Sequence, residues 1–413
     1  PFTPQDEWTA PGHEPLVLVG GEGAWLVDAG GRRYLDGNSS IWTNIHGHRH
    51  PRIDAALCAQ LERVAHTSFL GFANPRASEL ARQLAGFFPP GTLERVFFSD
   101  DGSTAIEVAV KMAIQYRQQA GEQERTGFLA FDRAYHGDTM GASSLGGVPR
   151  FSERFRRFGF PVTHLTGMDD LRSLPEVVVE TTAAVVIEPL IQGVNEMRPW
   201  PAGMLRELRG WCDRAGVHLI LDEVMTGFGR TGRMFACQHE EVVPDYLCLA
   251  KGLTGGYLPL AATLTTASIY DAFLGGAERT FYYGHSYTGN QLGCAAALAS
   301  LEVFEEEDVL GRLPARIESL RAVLADLRHP WVYDRRQCGL IAGLELREPS
   351  GDPFPADRRV GEEVCLAARE FGLLTRPIRD TIVLLPPLCV TPEELGQAGE
   401  ALRQAIETLS LIH

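Results

Sequence analysis

The chain has 413 residues, 45% hydrophobic and 22% charged, with a formal charge of −15 and a pI near 5.3. That is the composition of an ordinary globular protein, long enough for one large domain and a smaller one. The acid excess argues against a nucleic-acid partner, which needs clustered Lys and Arg. No apolar run is long enough for a membrane span.

The sequence begins at Pro1 rather than Met and shows no signal-peptide pattern, so residues before Pro1 are expected to be missing. Residues 16–36 alternate short apolar runs with glycine pairs, which predicts a small antiparallel meander. His46-Gly-His48-Arg-His50-Pro51 looks like a metal cluster, but alternate residues in a loop seldom converge on one ion, and no metal is expected. From about residue 50 the pattern becomes strand, helix, strand. Strands are predicted at Arg95–Phe98, Phe128–Phe131, Ala183–Ile187, Val217–Leu221, Tyr246–Ala250 and Leu260–Thr265, with helices such as Ser103–Gln118 and Gly203–Ala215 between them. Short, continuously apolar strands alternating with helices imply a mostly parallel sheet covered on both faces. The run Arg150-Phe-Ser-Glu-Arg-Phe-Arg-Arg157 is basic and interleaved with aromatics, which reads as a solvated helix face or a loop near a substrate acid.

Helices follow at Asn290–Glu306 and Leu313–Leu327. Strands at Gly339–Leu346, Leu373–Arg376 and Ile382–Leu385 with helices at Arg358–Phe371 and Pro392–Leu409 then give an α+β unit that shares its sheet with the N-terminal meander. The expected division is residues 1–49 as an N-terminal segment of the small domain, 50–310 as the large domain and 311–413 as the C-terminal small domain. The eight cysteines stand singly with no C-x-x-C pair, which suits reduced thiols in the cytoplasm.

Gly227-Phe-Gly-Arg-Thr-Gly232 spells the G-x-G-x-x-G of a dinucleotide loop. A dinucleotide site needs the glycines directly after a strand and opening a helix. Here five residues intervene after Leu221, and no clean amphipathic helix follows. A tight irregular loop is the better reading. The residues flanking the motif are more informative. Asp222 closes a buried strand, where open α/β sheets place ligands, and Lys251 follows another strand in Ala250-Lys251-Gly252. Alone, that lysine could reach solvent or a cofactor. With a strand-end acid it matches pyridoxal phosphate chemistry, in which lysine bonds the aldehyde and an acid keeps the pyridine nitrogen protonated. Gly102-Ser103-Thr104 opens a helix after a strand and could hold a phosphate or simply cap the helix. Tyr135 follows a further strand, where a stacking aromatic is wanted.

The set Ser99-Asp-Asp-Gly102-Ser103-Thr104, Tyr135-His-Gly-Asp138, Ile187-Glu188-Pro189, Leu221-Asp222-Glu-Val224, Thr226-Gly-Phe-Gly-Arg230-Thr-Gly232, Ala250-Lys251-Gly and Gly284-His-Ser286-Tyr-Thr-Gly-Asn-Gln291 resembles the class III (omega-amino acid type) PLP-dependent aminotransferases from end to end. Pro1-Phe2-Thr3, Ser39-Ser-Ile41-Trp42 and Thr375-Arg376-Pro377 resemble the branch of that family that makes 7,8-diaminononanoate from 8-amino-7-oxononanoate in biotin synthesis.

The resemblance implies an α/β fold of the aspartate-aminotransferase type (fold type I) and pyridoxal 5'-phosphate as cofactor. It implies Lys251 as the lysine that bonds the cofactor and then shuttles the proton, and Asp222 as the partner of the pyridine nitrogen. Tyr135 and Val224 would face the ring, Gly102 and Ser103 would hold the phosphate, and Glu188 would support the Asp222 region. Ser286 would cap the phosphate in a partner subunit, so a homodimer is implied. Arg376 would take the keto acid's carboxylate, and Trp42, Phe2, Gly284, Asp138 and Arg230 would touch substrate. Asp101 stands where many relatives have Ser. Phe2 and Ile41 depart from the adenosylmethionine-using pattern, so S-adenosylmethionine and lysine are both expected as candidate donors. The alternatives are a class III enzyme acting on another ω-amino acid or diamine, or a non-catalytic PLP-binding protein.

Overall fold

A computed structural model describes residues 15–411. Its centre is a seven-stranded sheet. In spatial order the strands are Leu93–Ser99, Ala261–Thr266, Tyr246–Leu249, His218–Asp222, Thr182–Ile187, Gly127–Phe131 and Val162–Leu165. All run the same way except Ala261–Thr266, which is antiparallel to both neighbours. The central strands are buried along their length (Thr182–Ile187 at every residue), as a sheet covered on both faces requires. Helices Gly102–Gln119, Met204–Ala215 and Gln291–Glu306 lie among the connections. The last is alanine-rich and nearly all buried, so it packs as an internal rod rather than a surface helix.

The seventh strand, Val162–Leu165, was not among those predicted. It sits at the sheet's edge and carries Thr163 and His164, so no continuous apolar run marks it. Val332–Cys338 (VYDRRQC) escaped for the same reason, although it pairs along its whole length with Ile341–Leu346. The helix expected from Leu313 begins at Val309 and carries Pro314 in its interior.

The meander forms as strands Leu18–Glu22, Trp25–Asp28 and Arg33–Asp36, and Leu373–Leu374 adds to it in parallel. The remaining C-terminal strands make their own antiparallel sheet, ordered Val332–Cys338, Ile341–Leu346, Thr381–Leu384, Pro377–Ile378. The expected Leu373–Arg376 strand therefore breaks after Leu374. Its first half belongs to one sheet, Pro377–Ile378 belongs to the other, and Arg376 lies in the step between them.

Candidate active site

Three adjacent parallel strands end at one place. Leu221 lies opposite Ile187, and Asp222 opposite Cys248, so Glu188, Asp222 and Lys251 emerge side by side from consecutive strand ends. Two further loops reach the same point: the one after Leu93–Ser99, which opens the Gly102–Gln119 helix, and the one after Gly127–Phe131, which carries Tyr135. Together they enclose a cavity of about 430 Å³ lined by Gly102, Ser103, Tyr135, Glu188, Asp222, Val224 and Lys251, with Trp42 at its wall. Open α/β sheets bind their ligands at this edge.

The acid and the amine are held differently. Asp222 is buried and shares a 2.7 Å hydrogen bond with Nδ1 of His136, while its other oxygen accepts the Val224 N–H at 3.1 Å. Among the described residues no carboxylate is bonded to Lys251. Its Nζ stands 4.6 Å from the centre of the Trp42 ring, an aromatic face that favours a cation. Burial nevertheless pulls the ammonium down to about 8, helped by Arg230 and opposed by Asp222 and Glu188. Lys251 also has φ of 42°, a left-handed conformation that a lysine adopts only when its surroundings impose it. Glu188 is pushed well above the usual carboxylate range by burial, reinforced by the charge of Asp222, and its Oε2 has no hydrogen-bond partner among the described residues. Tyr135 donates to Asp138 at 2.8 Å, and burial raises its hydroxyl above its ordinary value.

The helix terminus is prepared for an anion. Asp101 is the N-cap: its carboxylate accepts the Thr104 N–H at 2.9 Å, and its carbonyl accepts that of Ala105. That leaves the N–H groups of Gly102 and Ser103 from the first turn. The Asp101 side chain is thus engaged in a capping box. A side chain at residue 102 would bring its Cβ to 2.7 Å from Val224 Cγ1, so only glycine lets the two walls approach.

Not every expected residue comes here. Asp138 and Arg376 line an adjoining cavity of about 930 Å³, which also reaches Trp42, Tyr135 and Lys251. Ser286 and Gly284 line neither cavity of their own chain; the Ser286 carbonyl accepts from His66 at 2.7 Å. Phe2 lies outside the described residues. Arg230 requires a correction. Expected to touch substrate, it is fully buried, lines neither cavity, and donates to the carbonyls of Pro386 and Asn44. The loop that carries it folds inward because Gly229 and Gly232 take left-handed φ values.

His136 is the functional-looking residue that sequence reasoning passed over. It stood inside the quoted Tyr135–Asp138 motif, and no local pattern ties it to an acid 86 residues away. The three histidines of the apparent metal cluster diverge: His46 pairs with Ser300, His48 with Asp36 and His50 with Glu307.

The residues present fit pyridoxal phosphate. They offer a buried amine with a lowered pKa, a strand-end carboxylate for a ring nitrogen, an aromatic and an aliphatic wall, and two backbone N–H groups for a phosphate.

Comparison with known proteins agrees. Residues 8–406 match the family described as Aminotransferase class-III. The chain is 46% identical to the adenosylmethionine-8-amino-7-oxononanoate aminotransferase of Geobacter sulfurreducens, over 99% of this chain and 95% of that protein. Its structure resembles that of the protein of the same name from Methanocaldococcus jannaschii, with a TM-score of 0.95 at 40% identity, over 99% and 96% of the two chains. An amine transaminase from an uncultivated Pseudomonas species, solved in its PLP-bound form, matches at a TM-score of 0.89 and 35% identity over 97% of each chain.

Proposed function

The chain belongs to the class-III aminotransferases, and from that premise we infer the reaction it serves. It is a transaminase with pyridoxal 5'-phosphate as cofactor, and it converts 8-amino-7-oxononanoate to 7,8-diaminononanoate in biotin synthesis. Near full-length similarity to relatives named for that substrate supports this reading. The observation that carries the chemistry is the meeting of Lys251, Asp222 and Glu188 at three adjacent strand ends.

When bound, the cofactor supplies an aldehyde that takes up the amine and a ring that withdraws electrons from the neighbouring carbon. Lys251 Nζ would hold that aldehyde, and as a free amine it would be the base that moves the proton at the substrate carbon. Its lowered pKa of about 8 keeps a useful share of the amine neutral. Asp222 holds a positive charge at the ring nitrogen, and His136 fixes its orientation through the 2.7 Å bond. The Gly102 and Ser103 N–H groups hold the phosphate. Burial pushes the Glu188 carboxyl toward its neutral form, which weakens a second charge beside Asp222. Tyr135 and Val224 face the ring, Trp42 walls the approach, and Arg376 takes the carboxylate of the keto acid.

The working unit is a homodimer in which Ser286 serves the second copy's phosphate. Its position outside both cavities of its own chain supports this, as do Leu70, Phe72, Tyr282 and Tyr287, large side chains exposed on irregular loops. Eight unpaired cysteines support a reducing, cytoplasmic setting. S-adenosylmethionine or lysine is the amino donor.

The test is a pair of half-reactions. Donors are mixed with the PLP-loaded protein while the cofactor's absorbance is followed, and the aminated protein is then given 8-amino-7-oxononanoate. Recovery of the starting spectrum with release of 7,8-diaminononanoate is expected. A protein that a donor aminates but this keto acid fails to discharge is an aminotransferase of another substrate.

A further inference from the structure

The 930 Å³ cavity beside Lys251 is lined by five arginines: Arg133, Arg150, Arg156, Arg376 and Arg379. Three acids, Asp132, Asp138 and Glu196, share its wall, so the cavity is net positive in a protein of formal charge −15. Arg379 faces Glu196 at 3.7 Å, and Asp138 accepts the Tyr135 hydroxyl. The guanidinium groups of Arg133, Arg150, Arg156 and Arg376 have no carboxylate or carbonyl partner among the described residues. Unpaired arginines gathered on a cavity that contains a reactive amine are placed to receive anions.

They come from two parts of the chain. Arg376 and Arg379 flank the short Pro377–Ile378 strand. Arg133 and Arg150 belong to the surroundings of Tyr135, and that neighbourhood is tightly built. The Gly147 N–H donates to the Ala134 carbonyl at 2.9 Å. A Cβ on Gly147 would stand 2.8 Å from the Phe131 carbonyl oxygen, so this residue must be glycine for the two segments to meet. The Pro149–Ser152 turn that follows sets the Phe151 ring edge-on to Tyr135, with centroids 5.4 Å apart. Arg150 is therefore carried by a segment fastened to the residue that borders the reacting end of the cavity.

The two substrates of a transaminase present their carboxylates at different depths. An α-amino acid donor bears its carboxylate on the reacting carbon itself. In 8-amino-7-oxononanoate the reacting ketone is at carbon 7 and the carboxylate is carbon 1, at the far end of the chain. One fixed guanidinium cannot meet both. We propose that the donor's α-carboxylate is bound by Arg150 with Arg133, beside Tyr135, while Arg376 serves the remote carboxylate of the acceptor. The inference rests on the aminotransferase reading and names the donor's chemical class: an α-amino acid that gives up its α-amino group. It also gives a use to the basic, aromatic run at residues 150–157, which the cofactor chemistry leaves unassigned.

The experiment measures each half-reaction separately in PLP-loaded Arg150→Gln, Arg133→Gln, Arg150→Lys and Arg376→Gln proteins. Donors are paired with their decarboxylated counterparts: S-adenosylmethionine with decarboxylated S-adenosylmethionine, and lysine with cadaverine. Arg150→Gln is expected to raise the half-saturating concentration of the amino acid by about 10- to 100-fold, the range for losing a charge-assisted pair. The decarboxylated amine and the acceptor half-reaction keep their wild-type values. Arg133→Gln shifts the same substrates by a smaller factor. Arg150→Lys recovers part of the loss, because a point charge replaces a fork. Arg150 is exposed and has no partner among the described residues, so its replacement leaves folding intact. Equal shifts for an amino acid and its amine overturn the proposal, as does an unchanged donor or loss of both carboxylates in Arg376→Gln alone. A wild-type protein that only amines can aminate also overturns it. Failure of 8-amino-7-oxononanoate to discharge the aminated protein would instead strike the acceptor assignment and leave the donor result standing.

Discussion

The two adjoining cavities are built on opposite principles. In the smaller one Asp222, Glu188 and Lys251 stand at the ends of central strands or on the loop just beyond them. Asp222 is tied to His136, Glu188 is driven toward its neutral form, and Lys251 is held in a left-handed backbone conformation. In the larger one the arginines sit exposed on turns and strand breaks, and among the described residues only Arg379 has an acidic partner, Glu196. The sheet cannot move its strand ends relative to each other without breaking ladder hydrogen bonds, so it suits groups that must meet one cofactor atom each time. Loops can be re-aimed by a few substitutions, so they suit substrate choice. Chemistry and selection are thereby assigned to separate parts of one site.

The sharpest way to break this division is to remove a strand-end group and ask whether binding survives. Lys251→Ala is expected to lower turnover by about four orders of magnitude, the upper end for loss of a proton-shuttling base. It should leave substrate affinity, read by displacement of a fluorescent ligand, near wild type. Asp222→Asn should cost about 10²–10³ in turnover with the half-saturating concentrations little changed, since it withdraws a charge that acts on the reacting system. If either variant chiefly weakened substrate binding, the small cavity would be a substrate site and the division would fail. Arg376→Ala tests the other half. A rise of about 10- to 100-fold in the half-saturating concentration of the keto acid is expected, with turnover at saturation retained.

The same contrast governs what the sequence disclosed. Glu188 was legible only through the family resemblance, whereas Asp222 and Lys251 were legible because each follows a short, mainly apolar run, and the end of a buried parallel strand is a place with known chemistry. The parallel sheet was legible for that reason too. Edge strands were not: Val162–Leu165 and Val332–Cys338 bury only part of their length and mix polar residues into it. Arg230 was misread because its burial depends on the carbonyls of Pro386 and Asn44, 156 and 186 residues away. An arginine between glycines gives no local sign of such partners. The His136–Asp222 bond is hidden in the same way. The break that strands Arg376 between two sheets follows from pairing partners more than three hundred residues apart in one case and adjacent in the other.

Arg230 also supplies the finest test of the division, through the protonation of Lys251 in the cofactor-free protein. Burial holds the folded pKa near 8 against an ordinary 10.5. Below about pH 8 the folded protein must accommodate a buried ammonium. Between 8 and 10.5 it sheds that proton while the unfolded chain keeps it, so this group makes stability rise with pH across that window. Lys251→Met should therefore stabilise the apoprotein at pH 7, by on the order of 3 kcal/mol, with the advantage vanishing toward pH 10.5. Cofactor capture, which needs the neutral amine, should rise with pH to a plateau with its midpoint near 8. Arg230 adds like charge and is the weakest of the influences on Lys251, behind burial, Asp222 and Glu188. Arg230→Met should thus move the capture midpoint upward by a small amount and leave the keto acid's half-saturating concentration unchanged. A fixed midpoint with weakened keto-acid binding would return Arg230 to the substrate side, and the boundary between the two cavities would have to be redrawn through the loop of residues 227–232.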